Sequence, residues 1–356
     1  SPGVNFRLNK KKYSFSFGTV VGFTNYTQLN ETLNESTQYH YTNHYPKASF
    51  TWKIKQSENL SFYYYGAATA PSLRQLQPIL DLSDPLNRYT GNPELRPSFN
   101  HSFNLNYFSF KMLKERNLFA NMGYNFTQNA FVTSNWMKNA VTYSQTKNAN
   151  GVANFYTYIN YGFKLKKANM RIDFGPNLNW SRNVNFTGFG DSLSVEENNT
   201  SNMRYGFSVG LFKSKDDKYQ FSMRPGINYT SAHSSLNAAS DFKYWSGSIN
   251  ASANINITKT IIFNTDYFGN FQQKYSDFGS SANFSRWNAY VSKKFYKNQF
   301  EARFSVFDIL NQNKGYNLNS STYAFTETYR TILKRLWLVS FIWNINSTGA
   351  KPANAK

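Results

Sequence analysis

The chain has 356 residues, a length that fits two or three soluble domains or one large barrel. Aromatics make up 19% of it and Asn is abundant, while mean hydropathy is negative, a balance that disfavours a soluble Leu/Ile/Val core and suits walls that show aromatics to lipid and amides to water. There is no cysteine, which excludes disulfides and Cys-ligated metals, and no run of about 18 apolar residues from which to build a transmembrane helix.

Pro2–Asn9 carries Val4, Phe6 and Leu8 on one side, as the end of a strand would. After the turn Lys10–Lys12, the alternation Tyr13, Phe15, Phe17, Thr19, Val21, Phe23 marks a strand to about Tyr26. Residues 29–44, rich in Asn, Thr and Glu, predict a loop. The strands Tyr45–Ile54 and Asn59–Gly66 follow, joined at Lys55–Ser57. Residues 67–98 form the longest connection and hold Pro71, Pro78, Pro85, Pro93 and Pro97, which central strands exclude. Within it, Ser72–Leu76 predicts one helical turn behind Pro71.

Phe99–Phe110 and Asn117–Thr127 form the next pair, followed by a predicted loop over 128–152. Ala153–Leu165 is a strand with Phe155, Thr157, Ile159, Tyr161 and Phe163 on one face. Met170–Trp180 sets Ile172, Phe174, Leu178 and Trp180 against Arg171, Asp173, Asn177 and Asn179. A predicted loop over 181–201 contains Gly188-Phe-Gly-Asp191, a turn that lacks the Lys of a phosphate-binding loop. Three more pairs follow: Asn202–Lys213 with Lys218–Thr230, Tyr244–Ile257 with Thr260–Gln272, and Phe284–Phe295 with Gln299–Asp308. Each pair closes on a short turn and leads into a long loop, over 231–243, 273–283 and 309–333. A last strand, Lys334–Asn346, precedes a flexible tail over 347–356.

The count is about fifteen strands, with connections of about 2–6 and about 10–30 residues in alternation, as in outer-membrane barrels with tight periplasmic turns and long outer loops. The fold class predicted is all-β, an antiparallel transmembrane β-barrel over residues 1–346. Short turns in the periplasm would make the C-terminus periplasmic. An antiparallel barrel of this kind needs an even strand number. Either Pro2–Asn9 is a strand and further strands lie upstream of Ser1, with most of the partner of Leu336–Ile345 there, or it is not a strand and fourteen strands close on themselves. The net charge of +20 invites a nucleic-acid partner, but the basic residues are scattered through short turns such as Lys10–Lys12 and Lys166-Lys167. They read as solvated strand ends at one membrane face, with no nucleic acid bound.

Three stretches resemble one family. Ala70-Pro-Ser-Leu-Arg-Gln-Leu-Gln-Pro78 followed by Gly91-Asn-Pro-Glu-Leu-Arg-Pro97, then Phe307-Asp-Ile-Leu-Asn-Gln-Asn313, then the ending Tyr329-Arg-Thr331 with Arg335–Asn344, are similar to TonB-dependent receptor-like barrels of the Bacteroidota type. The resemblance covers essentially the whole chain. It implies a barrel of about 22 strands whose lumen is filled by an N-terminal plug that contacts TonB. This chain would be the C-terminal part of such a barrel, without the plug, and its residues beyond Asn346 depart from the aromatic ending common in outer-membrane barrels. The partners implied are outer-membrane lipid and lipopolysaccharide, the TonB system through the missing plug, and a surface lipoprotein lid.

Catalysis has little to stand on. His40 and His44 share a loop without Cys or paired carboxylates, and His101 and His233 stand apart. A phospholipase would need a Ser–His pair oriented on the wall. The expectation is no enzyme, no cofactor and no metal site. Binding fits better: Trp136, Tyr143, Trp245, Tyr275, Tyr316 and Tyr323 in outer loops offer stacking faces beside amides, which suit sugars or peptides. The alternative for most aromatics at strand ends, including Trp180, Trp245 and Trp337, is an interfacial girdle. Arg171, Asp173, Arg204, Arg224, Asp266 and Arg303 would face the lumen, pairing with a plug in a receptor or setting ion selectivity in an open pore. The expected function is TonB-dependent uptake of an oligosaccharide, peptide or metal chelate. The alternatives are a passive porin or hydrophobic-solute channel, and a barrel-only structural or assembly protein.

Overall fold

The computed structural model describes residues 1–30, 35–188, 194–273, 283–313, 315–320 and 325–345. The tail expected over 347–356 and the end of the closing strand at Asn346 lie outside these residues. A 19-stranded sheet dominates the chain, and helix is confined to single turns. The chain divides into two compact units, residues 1–161 with 176–205 and 230–243, and residues 162–175 with 206–229 and 244–356.

In the first unit, β1 (Gly3–Asn9) runs antiparallel to β2 (Tyr13–Asn30), with Phe6 opposite Phe17 and Leu8 opposite Phe15. β2 pairs with β3 (Glu35–Lys55) from Tyr13↔Trp52 out to Asn30↔Glu35. The loop expected over 29–44 is therefore mostly strand. Its Thr and Tyr residues favour extended backbone, and at 18 and 21 residues the two strands exceed the roughly 9–11 needed to cross a bilayer. Beyond the hydrocarbon both faces of a hairpin are wet, so polarity there no longer marks a loop. β3 continues to β4 (Glu58–Thr69), which pairs with β7 (Ser98–Lys111), which in turn pairs with β8 (Arg116–Gln128).

The connection between β4 and β7 is ordered. Its helical turn α1 (Leu73–Leu76) is closed by a capping box: Gln75 N–H donates to the Ser72 hydroxyl while the Gln75 side chain accepts from the Ser72 backbone. β5 (Leu80–Asp81) and β6 (Asn87–Thr90) follow. The loop expected over 128–152 is instead a hairpin, β9 (Ala130–Lys138) and β10 (Val141–Ala149). Asn139 and Ala140 both take positive φ, 50° and 58°, as a two-residue primed turn requires. The hairpin is followed by β11 (Val152–Leu165), which pairs with β8. β10 also lies parallel to β6, and β9 meets the end of β12 (Met170–Thr187) in parallel, Phe186 opposite Ser134. The loop expected over 181–201 is likewise shortened, because β12 runs to Thr187 and β13 (Glu196–Lys215) starts at Glu196. Of Gly188-Phe-Gly-Asp191, only Gly188 lies within the described residues.

β14 (Tyr219–Ser234) extends four residues past the expected end at Thr230. In the second unit, β15 (Phe242–Asn256), β16 (Ile261–Gln272), β17 (Phe284–Phe295) and β18 (Phe300–Phe307) pair in sequence. Part of the loop expected over 309–333 forms a separate small hairpin, β19 (Tyr316–Ser320) with β20 (Phe325–Tyr329). β21 (Leu336–Trp343) returns antiparallel to β18, with Phe300 opposite Trp343 and Phe307 opposite Leu336. The closing hairpin is thus as expected in its pairing, with β21 starting at Leu336, two residues after the expected Lys334, and ending at Trp343.

Register sorts the side chains onto two faces. Tyr267, Trp287, Val291, Phe304 and Phe341 share one face of the second unit, and Val291, Phe304 and Phe341 are 43%, 45% and 66% exposed. The other face hides Ser292, Glu301 and Ser305. The few buried hydrophobics of the described chain, among them Leu76, Leu95, Val132 and Val184, lie in or near the loop connections. Apolar outside with polar inside is the reverse of a soluble domain, and a band of exposed large apolar side chains needs hydrocarbon to cover it.

Candidate functional site

Polar groups gather at two places on the polar face of the second unit. Arg171 and Asp173 are two apart on β12 and so share a face. Arg171 Nε lies 3.0 Å from Asp173 Oδ1, and Arg224 Nη2 of β14 lies 3.9 Å from Asp173 Oδ2. Gly210 of β13 leaves the room, since a Cβ there would stand 3.1 Å from Arg224 Nη2. Arg224 also caps the Phe212 ring at 5.5 Å. In the second group Arg303 donates to Glu301 Oε1 from Nη2 at 2.8 Å and from Nε at 3.0 Å, and its guanidinium lies 4.5 Å over the Tyr290 ring. Asp266 accepts from Asn288 Nδ2 at 2.8 Å. Of the six residues expected to face the lumen, three thus meet in one cluster. Arg303 pairs instead with Glu301, two residues before it on the same face of β18. Arg204 stands on β13 in the first unit.

The ordered connections of the first unit form a small accessory sheet, β5–β6–β10–β9. Trp136 of β9 stacks on Tyr143 of β10 at 5.7 Å and 12°. Arg88 of β6 joins them, donating to the Tyr143 hydroxyl at 3.3 Å with its guanidinium 5.8 Å from the ring. Arg88 was missed because a four-residue strand inside a proline-rich loop gives almost no periodicity. Tyr275 and Tyr323 lie outside the described residues, and Tyr316 opens β19 opposite Tyr329.

Two of the three stretches that carry the family resemblance are structural supports. A Cβ on Gly91 would fall on the Gln77 carbonyl, so only glycine lets the chain pass. Asn92 donates from Nδ2 to Thr146 O at 3.1 Å and accepts from Glu94 N–H at 3.0 Å, and Leu95 is buried. Arg96 and Asn148 exchange two bonds, at 2.8 and 2.9 Å, which tie this segment to β10. In the other stretch Asp308, 2% exposed with φ 50°, accepts backbone N–H groups of Gln312 and Asn313 at 3.1 and 3.2 Å and so closes the turn after β18.

The histidines are dispersed. His40 Nδ1 contacts Asn25 Oδ1 at 2.9 Å, and His101 Nδ1 meets the Tyr64 hydroxyl at 3.0 Å within an aromatic cluster that includes Phe126 at 4.4 Å. His233 Nδ1 lies 2.6 Å from Asp241 Oδ2. Burial pushes the Asp241 carboxyl up, but hydrogen bonds from His233 and the Ser234 N–H, with the His233 charge, outweigh it and hold its pKa below the usual carboxylate range. Among the described residues, no three of His, Cys, Asp and Glu gather as metal ligands would. Of the aromatics that could form a girdle, Trp180 donates to Ser201 Oγ at 3.1 Å, Trp245 packs on Tyr229 at 5.0 Å and Trp337 packs on Phe304 at 5.7 Å.

A sheet whose wall strands pair antiparallel, with one apolar and one polar face and elaborated connections, defines a transmembrane β-sheet protein of the outer-membrane class. The sequence matches the model of the Outer membrane protein beta-barrel family over residues 3–343, and the chain belongs to that family. Its place is the outer membrane. No curated protein matches the sequence.

Proposed function

We propose that the chain is the wall of an outer-membrane receptor that imports a nutrient, energised through the TonB system by a plug preceding this segment, with a periplasmic C-terminus and a surface lipoprotein as lid. The observation that carries this reading is the pairing of charge on the polar face. Both carboxylates are paired there: Asp173 with Arg171 and Arg224, a cluster that keeps one positive charge, and Glu301 with Arg303, a neutral pair. A folded plug that brings one carboxylate to the first cluster can pack against this face without leaving buried charges unmatched. An open channel that selects ions works instead through unneutralised rings of charge. The ordered accessory sheet adds support, because a receptor needs outer loops held in place, whereas a passive channel does not. We read the chain as a binding and transport protein with no catalytic role.

The test is conductance of the full-length gene product in a planar bilayer, before and after removal of whatever precedes Ser1. The plugged receptor gives no steady current intact and a large one after removal, and its uptake activity disappears in cells lacking TonB. A large steady current from the intact protein would establish a passive channel instead.

A further inference from the structure

The polar face of the first unit has a chemistry of its own. On the wall strands β3, β4, β7, β8 and β11, between Thr37 and Asn160, that face carries no carboxylate, and its only strand-interior cations are Lys47 and Lys53. Tyrosines and amides fill it. Tyr63 and Tyr65 are 46% and 51% exposed, and lie opposite Asn104 and Ser102 of β7. Two residues apart on one strand face, they present rings about 7 Å apart. Farther out, Tyr39 stacks on Tyr41 at 6.4 Å and 12°, and Tyr26 meets Tyr41 edge-on at 6.2 Å. Between the rings, Asn104 donates to the Tyr156 hydroxyl at 2.9 Å and accepts from Asn121 at 3.2 Å, so amides and hydroxyls are fixed by one another. Tyr156 lies across Gly123, where a Cβ would collide with its ring.

We infer that this face is a binding strip for a neutral polyhydroxylated ligand, an oligosaccharide. The C–H faces of sugar rings stack on tyrosine and their hydroxyls exchange bonds with fixed amides, while Lys47, opposite Tyr65, and Lys53 stand six residues apart on β3, about 20 Å, too far to grip one anionic group together. A peptide would want carboxylates as well as cations, and an anionic chelate a cluster of cations, where the face has two separated lysines. The inference takes its setting from the uptake reading but does not depend on the plug.

The test uses the full-length protein in detergent, titrated with neutral hexasaccharides of glucose, mannose and xylose and with a uronic-acid hexasaccharide. At least one neutral oligomer should bind, with little dependence on salt. Tyr63→Ala with Tyr65→Ala should weaken it about tenfold, while the Tyr→Phe pair, which keeps both rings, should cost about threefold or less. Lys259→Ala, in the β15–β16 turn of the second unit, should leave binding unchanged. Heat-modifiable migration on a gel checks that each variant is folded. The inference is overturned if no neutral oligomer binds, if the uronic acid binds more tightly, or if the Ala pair binds as well as the parent. A steady current from the intact protein would remove the uptake reading alone; the strip would then stand or fall on whether neutral sugar blocks that current in the parent and not in the Ala pair.

Discussion

At the residue scale, the side chains that looked most like a signature hold the backbone rather than a ligand. Gly91→Ala would drive a methyl group into the Gln77 carbonyl, and overpacking of this kind costs about 1–3 kcal/mol. The expected result is faster proteolysis within residues 67–98, with the wall intact by heat-modifiable migration. Asp308→Ala would strip acceptors from the N–H groups of Gln312 and Asn313, each worth about 1–3 kcal/mol when left unsatisfied, and amide exchange at those two residues should accelerate. Asp241 titrates. Its folded pKa lies below the unfolded value of about 3.9, so its contribution is present above that pH and is lost as pH falls through the lowered folded value. Proteolysis between His233 and Asp241 should therefore rise in acid, and Asp241→Asn should give the acid behaviour already at neutral pH.

At the element scale, the wall strands were legible because their apolar positions recur with period two, and the short turns were legible from Lys, Asn and Asp between them. The connections were not. Residues 36–44 are polar on both faces because the β2–β3 hairpin outruns the hydrocarbon, and β9–β10 turns on Asn139-Ala140 rather than on the Asn-Gly that marks a hairpin in sequence. The β9–β10 hairpin is set off from the wall by Asn129 at φ 50° and Gly151 at φ 93°, and the Asn129 N–H bonds Asn150 Oδ1 at 2.9 Å across the two hinges. Asn148 then bridges to the Arg96 backbone and to Asn129 O. Asn148→Ala should release the accessory sheet from residues 91–97, and hydrogen exchange of the Arg96 amide, whose bond to Asn148 Oδ1 is lost, should rise by about tenfold or more.

At the scale of the whole molecule, stability follows from which face meets lipid. Asn250 and Ala251 are neighbours on β15, the first on the polar face opposite Phe268 and the second on the apolar face opposite Tyr267. Ala251→Lys should destabilise the folded form by about 2–4 kcal/mol, the cost of a lysine near the middle of the lipid face, whereas Asn250→Lys should be nearly neutral. Urea titration in lipid vesicles measures both. Equal effects would mean that the two faces have been assigned the wrong way round.

The sequence by itself determined the fold class, the order and facing of the wall strands, and the absence of a transmembrane helix, because those follow from local alternation and length. Only the tertiary structure decided what the long connections do. The pairing of β6 with β10, the packing of Arg88 against Tyr143, and the approach of Arg224 to Asp173 join residues about fifty apart in sequence, where no local period reaches. The tyrosine and amide strip on the first unit belongs to the same class, since its members come from separate strands and become one surface only when register aligns them.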